Sequence, residues 1–174
     1  PGFVNLVRSI LEQSNLPANC LTLEITESVM MTDTEKNVAL LSQLRDHGVS
    51  IALDDFGTGY SSFTYLQKLP ISILKIDKSL IDDITSSQGK TQPIIASLLH
   101  MSKLLGYRVV TEGVESPEQL QLLLQNGCEY FQGYFFSKPL PQSALQEFQQ
   151  KSHLKTQAFS LPPVEPSNAA DEAS

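Results

Sequence analysis

Apolar positions along the chain alternate between two rhythms. From Phe3 to Gln13, the residues Phe3, Val4, Leu6, Val7, Ile10 and Leu11 recur at the three-and-four spacing of a helix, and Asn15-Leu16-Pro17 ends the run. Leu21 to Glu27 then alternates apolar with polar residues, as a strand does. Thr32 followed by Glu35 makes a capping-box pattern for a helix whose apolar face is Val38, Leu40, Leu41 and Leu44 and whose end is Gly48. Val49 to Leu53 reads as a buried strand. A short helix carrying Phe63, Leu66 and Leu69, stopped by Pro70, leads to a third strand, Ile71 to Asp77. A broad apolar side from Pro93 to Leu105 predicts a helix closed by Gly106, and Tyr107 to Thr111 the next strand. Ser116-Pro117-Glu118-Gln119 combines an N-cap, a proline at the first helical position and a box glutamine, so a helix runs to about Asn126. A short strand, Glu129 to Phe131, and a helix from Pro141 to Lys151 complete the pattern.

Five strands, each followed by a helical pattern, predict a parallel α/β sheet covered by helices. Two architectures compete. An open doubly wound sheet uses the five strands as they stand, whereas a (β/α)8 barrel of the TIM type needs about three further units and typically ~250 residues. With 174 residues and a start in mid-element, the chain fits a barrel truncated at its N-terminus, with about five βα units present. Residues 1–151 form the folded part; residues 152–174, ending in a stretch rich in Pro, Ser, Ala and acids, form a tail expected to be disordered.

A hydrophobic content of 41% supplies a sizeable core, and a net charge of −7 excludes a general DNA- or RNA-binding surface, because phosphate backbones require clustered Lys and Arg. An anionic substrate would need metal ions or a local positive group. Cys20 and Cys128 lie far apart with no Cys/His cluster, which argues against a disulfide framework or a zinc site, and both are expected as buried thiols in a reducing cytosol. No apolar run approaches membrane-spanning length and no signal peptide is visible, so a cytoplasmic location is expected.

The candidate chemistry lies in where polar residues interrupt this pattern. Glu24, Asp54, Lys75, Glu112 and Gln132 all fall at or near the C-terminal ends of predicted strands, the rim on which parallel barrels build active sites. Taken singly, each reads as a solvent-facing loop start, and Asp54-Asp55 before Gly57 and Gly59 reads as a turn, with Ser61-Ser62 capping a following helix. Together they form a ring of acids, which is costly to bury unless paired or bound to a cation. Oxygen ligands without His or Cys favour Mg²⁺ or Mn²⁺. Three acidic positions and the adjacent Asp55 can hold two such ions through a shared carboxylate, and Lys75 can orient water or neutralise developing charge. That arrangement points to metal-assisted phosphoester hydrolysis. His47, His100 and His153 share no strand end with the acids, Met30-Met31 belongs to the core, and Asp82-Asp83 to a solvated face.

From about Leu6 to Gln150 the chain resembles the EAL domain phosphodiesterases that cleave cyclic di-GMP. The resemblance rests on the ordered motifs Leu23-Glu24-Ile25-Thr26-Glu27-Ser28, Asp54 through Ser62, Lys75-Ile76-Asp77, Glu112-Gly113-Val114-Glu115, and Gln132-Gly133-Tyr134 followed by Ser137-Lys138-Pro139. It implies a modified (β/α)8 barrel that hydrolyses the cyclic dinucleotide to linear pGpG with Mg²⁺ or Mn²⁺. By the same resemblance Glu24 and Asp54 are ligands of a first metal, with Asp54 bridging to a second held also by Asp55 and Glu112. Lys75 contacts the hydrolytic water and Gln132 is a polar residue of the site. Glu27 supports the glycine loop after Asp55, which shapes the metal site and a homodimer contact. Glu115 supports the rim or serves only as a helix-start acid. The family's Glu-Ala-Leu motif and a metal-binding Asn are absent and would precede Pro1. The chain is therefore expected to be the C-terminal part of a longer protein, with an incomplete two-metal site and no activity alone. A sensory or GGDEF domain, or a membrane anchor, would lie upstream. The alternative is a non-catalytic cyclic di-GMP receptor of the same fold.

Overall fold

Helix α1 (Gly2–Ser14) buries Val4, Val7 and Leu11, one apolar stripe of a 3.6-residue period, and leaves Phe3, Leu6 and Ile10 exposed. It closes where Asn15 adopts a left-handed φ of 51° and the Leu16 N–H donates to Leu11 O at 3.1 Å. The computed structural model describes residues 2–31, 34–58, 66–85 and 91–156. Within them follow β1 (Thr22–Thr26), α2 (Glu27–Met31), α3 (Thr34–Asp46), β2 (Ser50–Phe56), β3 (Ile73–Ile76), α4 (Lys78–Ile81), α5 (Thr91–Leu104), β4 (Arg108–Thr111), α6 (Pro117–Gln125) and β5 (Tyr130–Phe131). Helix α7 (Gln142–Thr156) belongs to the second of two units, Pro1–Phe136 and Ser137–Ser174. The Thr32 cap, the Ser61-Ser62 cap with the start of its helix at Phe63, and the tail from residue 157 lie outside the described residues.

Three helices pass into their strands by the same device. Gly48, at φ 93°, ends α3 as the Val49 N–H reaches back to Leu44 O at 3.2 Å. The equivalent bonds after α5 and α6 run from Tyr107 N–H to Ser102 O at 2.8 Å and from Cys128 N–H to Leu123 O at 3.1 Å. The capping box expected at Ser116 is formed in full: Ser116 Oγ accepts the Gln119 N–H at 3.2 Å and Gln119 Oε1 accepts the Ser116 N–H at 3.1 Å.

The five strands are parallel and lie in the order β1-β2-β3-β4-β5. A doubly wound sheet reverses its strand order at a switch point, where its ligand binds. Here each new strand adds to the same side, the sequential order of a barrel wall. Two packed clusters back this wall. One gathers Val4, Val7, Leu11, Leu41, Leu44, Ile51, Leu53 and Leu74, and the other Ile76, Ile81, Ile95, Leu99, Val109, Leu120 and Leu123.

Two expectations need correction. Strand β2 runs to Phe56 rather than stopping at Leu53, so Asp54 and Asp55 sit within it. Leu53 pairs with Leu74 and Phe56 with Ile76, which sets two β2 residues opposite the single residue Lys75, a β-bulge with Asp55 at φ 57°. Cys20 is exposed in a short 3₁₀ turn, Ala18–Cys20, where the chain turns at the surface before β1; only Cys128 is a buried thiol.

Candidate active site

Lys75 lies in β3 with its side chain 9% exposed, and its Nζ stands 2.8 Å from Glu24 Oε2, 3.0 Å from Asp54 Oδ1 and 2.9 Å from Glu112 Oε1. An ammonium has three N–H donors, and each finds a different carboxylate. The acids come from three other chain segments: Glu24 from β1, Asp54 from the bulge of β2, and Glu112 from the residue after β4. Parallel pairing in register brings them to one end of the wall. Glu112 is held there by its N–H on Ile76 O at 3.0 Å, and Asp54 Oδ1 also accepts the Asp55 N–H at 3.0 Å.

Burial alone would pull the Lys75 ammonium toward deprotonation, but the hydrogen bonds it donates to Glu112, Glu24 and Asp54 outweigh it and raise its pKa above the ordinary lysine value. With the three carboxylates on it, Lys75 is a cation and a donor near neutral pH rather than a general base. Against its one positive charge stand three carboxylates, with Asp55 as a fourth beside them. Excess negative charge on oxygen donors alone fits a hard divalent cation such as Mg²⁺ or Mn²⁺. The present spacing is set by the lysine. Among the described residues no group of three His, Cys, Asp or Glu is arranged to hold a metal ion, and the oxygens lie at N–H···O distance from a nitrogen rather than the roughly 2.1 Å of an Mg–O bond.

The structure therefore gathers Glu24, Asp54, Lys75 and Glu112 into one cluster, while four other expected residues lie around it. Asp55 sits in the bulge and makes no ion pair with Lys75 among the described residues. Gln132 follows β5, with its N–H on Thr111 O at 2.8 Å and its carbonyl accepting from Val114 N–H at 3.1 Å, so its backbone is bound to the Glu112 loop. Glu27 opens α2 and is 4% exposed, and its Oε2 has no hydrogen-bond partner among the described residues; residues 59–65 of the glycine loop lie outside them. Glu115 pairs with Lys78 of α4. Sequence reasoning missed Lys78 and the short helix that carries it. The available signal was Asp77, read as the end of a strand, which instead caps α4 by accepting the Ser79 N–H at 2.9 Å. A cavity of about 330 Å³ lined by His100, Lys103, Arg108 and Tyr130 lies at the opposite ends of β4 and β5 and contains none of these acids.

The profile of the EAL domain family matches residues 1–139. The chain is 48% identical over 147 residues to the cyclic di-GMP phosphodiesterase NbdA of Pseudomonas aeruginosa, covering 84% of this chain and 19% of NbdA. It is 38% identical over 144 residues to the bifunctional diguanylate cyclase/cyclic di-GMP phosphodiesterase MucR of the same organism, covering 83% of this chain and 21% of MucR. The chain thus spans about a fifth of the length of these relatives. A solved structure of the MucR phosphodiesterase in complex with c-di-GMP superposes with a TM-score of 0.77 at 38% identity, over 83% of this chain and 58% of that one. The Klebsiella pneumoniae protein BlrP1, solved with manganese and cyclic di-GMP, gives a TM-score of 0.75 at 35% identity, over 80% of this chain and 35% of that one.

Proposed function

Because the chain belongs to the EAL domain family, we propose that the complete protein containing it is a phosphodiesterase that opens cyclic di-GMP to linear pGpG with Mg²⁺ or Mn²⁺. The observation that carries this reading is the convergence of Glu24, Asp54 and Glu112 on Lys75 Nζ, each within 3.0 Å. The relatives' names and the manganese–dinucleotide complex support the substrate and the metal class.

Glu24, Asp54, Asp55 and Glu112 would hold the ions, with Asp54 the ligand that both would share. When bound, such ions supply Lewis acidity and lower the pKa of a water. Lys75 keeps its proton, so its part is to donate hydrogen bonds to the attacking water or to a phosphoryl oxygen as charge builds there. Since all its N–H groups are engaged, it acquires such a contact only by exchanging one carboxylate. Gln132, on the loop bound to Glu112, borders the substrate's side of the rim; Glu27 and Glu115 support the loops. A homodimer through the loop after Asp55, an upstream sensory or GGDEF domain, and a cytoplasmic location belong to the same proposal; MucR is named as a diguanylate cyclase as well as a phosphodiesterase. None of the described helices is long and apolar enough to cross a membrane. The isolated 174-residue chain, which spans about a fifth of the length of these relatives, is expected to be inactive.

A receptor that binds cyclic di-GMP without turnover is the second reading, favoured by the engagement of all three Lys75 N–H groups with carboxylates. Both are tested on the complete protein by chromatography of cyclic di-GMP incubated with Mn²⁺. Glu24→Gln and Asp54→Asn should each lower kcat at least about 100-fold, the scale of removing a charged group that acts in the transition state. Hydrolysis that survives either substitution or a chelator refutes the phosphodiesterase reading, and calorimetric binding without product identifies the receptor.

A further inference from the structure

Helix α4 touches both loops that carry the acids. It starts from Asp77, whose N–H donates to Phe56 O at 3.2 Å, tying the helix to the end of the bulged β2. The Asp77 side chain and carbonyl then accept from Ser79 N–H at 2.9 Å and Leu80 N–H at 3.1 Å, and Ile81 is fully buried in the core. Two side chains of this anchored turn lie against glycines of the rim. A methyl added at Gly57, two residues after Asp55, would stand 2.0 Å from Leu80 Cδ1 and 2.7 Å from its Cγ. One added at Gly113, next to Glu112, would stand 2.5 Å from Lys78 Cβ and 2.4 Å from its Cγ. Beyond Gly113 the Lys78 ammonium pairs with Glu115.

We propose that α4 sets the spacing of the acid rim: Leu80 positions Asp54 and Asp55 by packing on Gly57, and Lys78 positions Glu112 by laying its stem on Gly113. Both are positioning residues; among the described residues neither makes an ion pair with Glu24, Asp54, Asp55 or Glu112. This rests on the phosphodiesterase reading for its consequence in catalysis, while its structural core stands without it. Exposed ion pairs contribute little, so the Lys78 stem matters more than its charge.

The test compares Leu80→Ala and Lys78→Ala with the shape-conserving Leu80→Met and Lys78→Met in the complete protein. Hydrogen exchange at the Asp55 amide should quicken about tenfold in Leu80→Ala and at the Glu112 amide about tenfold in Lys78→Ala, as local opening does when few contacts hold a segment. Protection in β1 and α6 should stay unchanged. Mn²⁺ titrations should weaken in both alanine variants. In turnover of cyclic di-GMP, kcat should fall about 10- to 100-fold with KM within about threefold, the cost of shifting reacting groups by about 1 Å. The methionine variants should recover most of each effect. Wild-type exchange at both amides in the alanine variants overturns the proposal, as does acceleration spread evenly over β1 and α6, or methionine variants that fail as the alanines do. If the unsubstituted protein shows no turnover, the phosphodiesterase reading fails, and the exchange result still decides the role of α4.

Discussion

Replacing Lys75 with Met keeps an unbranched apolar stem of similar length and removes the charge that holds Glu24, Asp54 and Glu112 together. The cost at neutral pH follows from how wet each partner is. Glu24 is 51% exposed, so its share is that of a surface pair, under about 1 kcal/mol. Asp54 and Glu112 are 20% and 17% exposed, and stripping the partner from a largely buried charge costs about 3–5 kcal/mol when burial is complete. Partial access to water brings the total for this site to about 2–4 kcal/mol. With a urea slope of about 2 kcal/mol per molar, the unfolding midpoint of the chain should fall by about 1–2 M at pH 7. The deficit should shrink with millimolar Mn²⁺, which neutralises the same oxygens. The lysine itself does not confound this comparison. Its raised folded pKa contributes stability that is complete below the ordinary lysine value near 10.5 and is lost only as pH rises through the folded value, far above the pH used. Urea titrations followed by circular dichroism at pH 7, with and without Mn²⁺, measure these differences. A Lys75→Met midpoint equal to that of the unsubstituted chain at pH 7, or a deficit that millimolar Mn²⁺ leaves unchanged, would show that the three ion pairs do not carry the rim.

Alkaline pH should also destabilise the chain. Burial raises the Cys128 thiol above its ordinary value near 9 even though the Thr111 hydroxyl contact opposes it, and burial raises the Tyr107 phenol, whose O–H donates to Leu66 O at 2.7 Å. Raised values mean that the stabilisation is complete below the unfolded pKa values and is lost as pH rises through the folded ones, so the urea midpoint should be level to about pH 8 and fall above about pH 9; a midpoint constant from pH 8 to pH 11 would contradict this. Gly133→Ala should cost about 3 kcal/mol or prevent folding, because the new methyl would lie 2.1 Å from Val114 O and 2.3 Å from its N, backbone atoms that cannot turn away. Gly2→Ala, which meets nothing within 4 Å, is the control in the same urea titration, and equal midpoints for the two variants would refute the steric argument.

The helix and strand sequence was legible because each element carries its own local signal. Ser116 and Gln119 make their capping bonds from side chains three residues apart, and α3, α5 and α6 end on left-handed glycines that the sequence displays directly. The choice between barrel wall and doubly wound sheet was less accessible, because both use the same strands and only the order of pairing distinguishes them. That order is settled by contacts between segments dozens of residues apart. The candidate site follows the same division. Glu24, Asp54, Lys75 and Glu112 could be named from their places at strand ends, since a residue's place within a strand is local information.

Their mutual arrangement was not legible, for a physical reason visible at Lys75. Sequence position suggested a ring of acids waiting for a cation, with the lysine beside it. The structure instead places the lysine nitrogen at the point of convergence, so the protein supplies one of the site's cations from its own side chain. The bulge makes this geometry available: without the extra residue in β2, Asp54 and Asp55 would face successive residues of β3 rather than Lys75 alone. A bulge depends on the partner strand's register and on Asp55 tolerating φ 57°, a conformation Asp enters more readily than most residues but which Asp-Asp spacing does not announce. The same holds for α4. Its side chains matter through Gly57 and Gly113, residues that read in sequence as turn formers and that the fold uses as the surfaces on which Leu80 and Lys78 rest. Glycine at these points serves close approach as well as backbone freedom, and only the neighbour that approaches, encoded elsewhere in the chain, reveals which use applies.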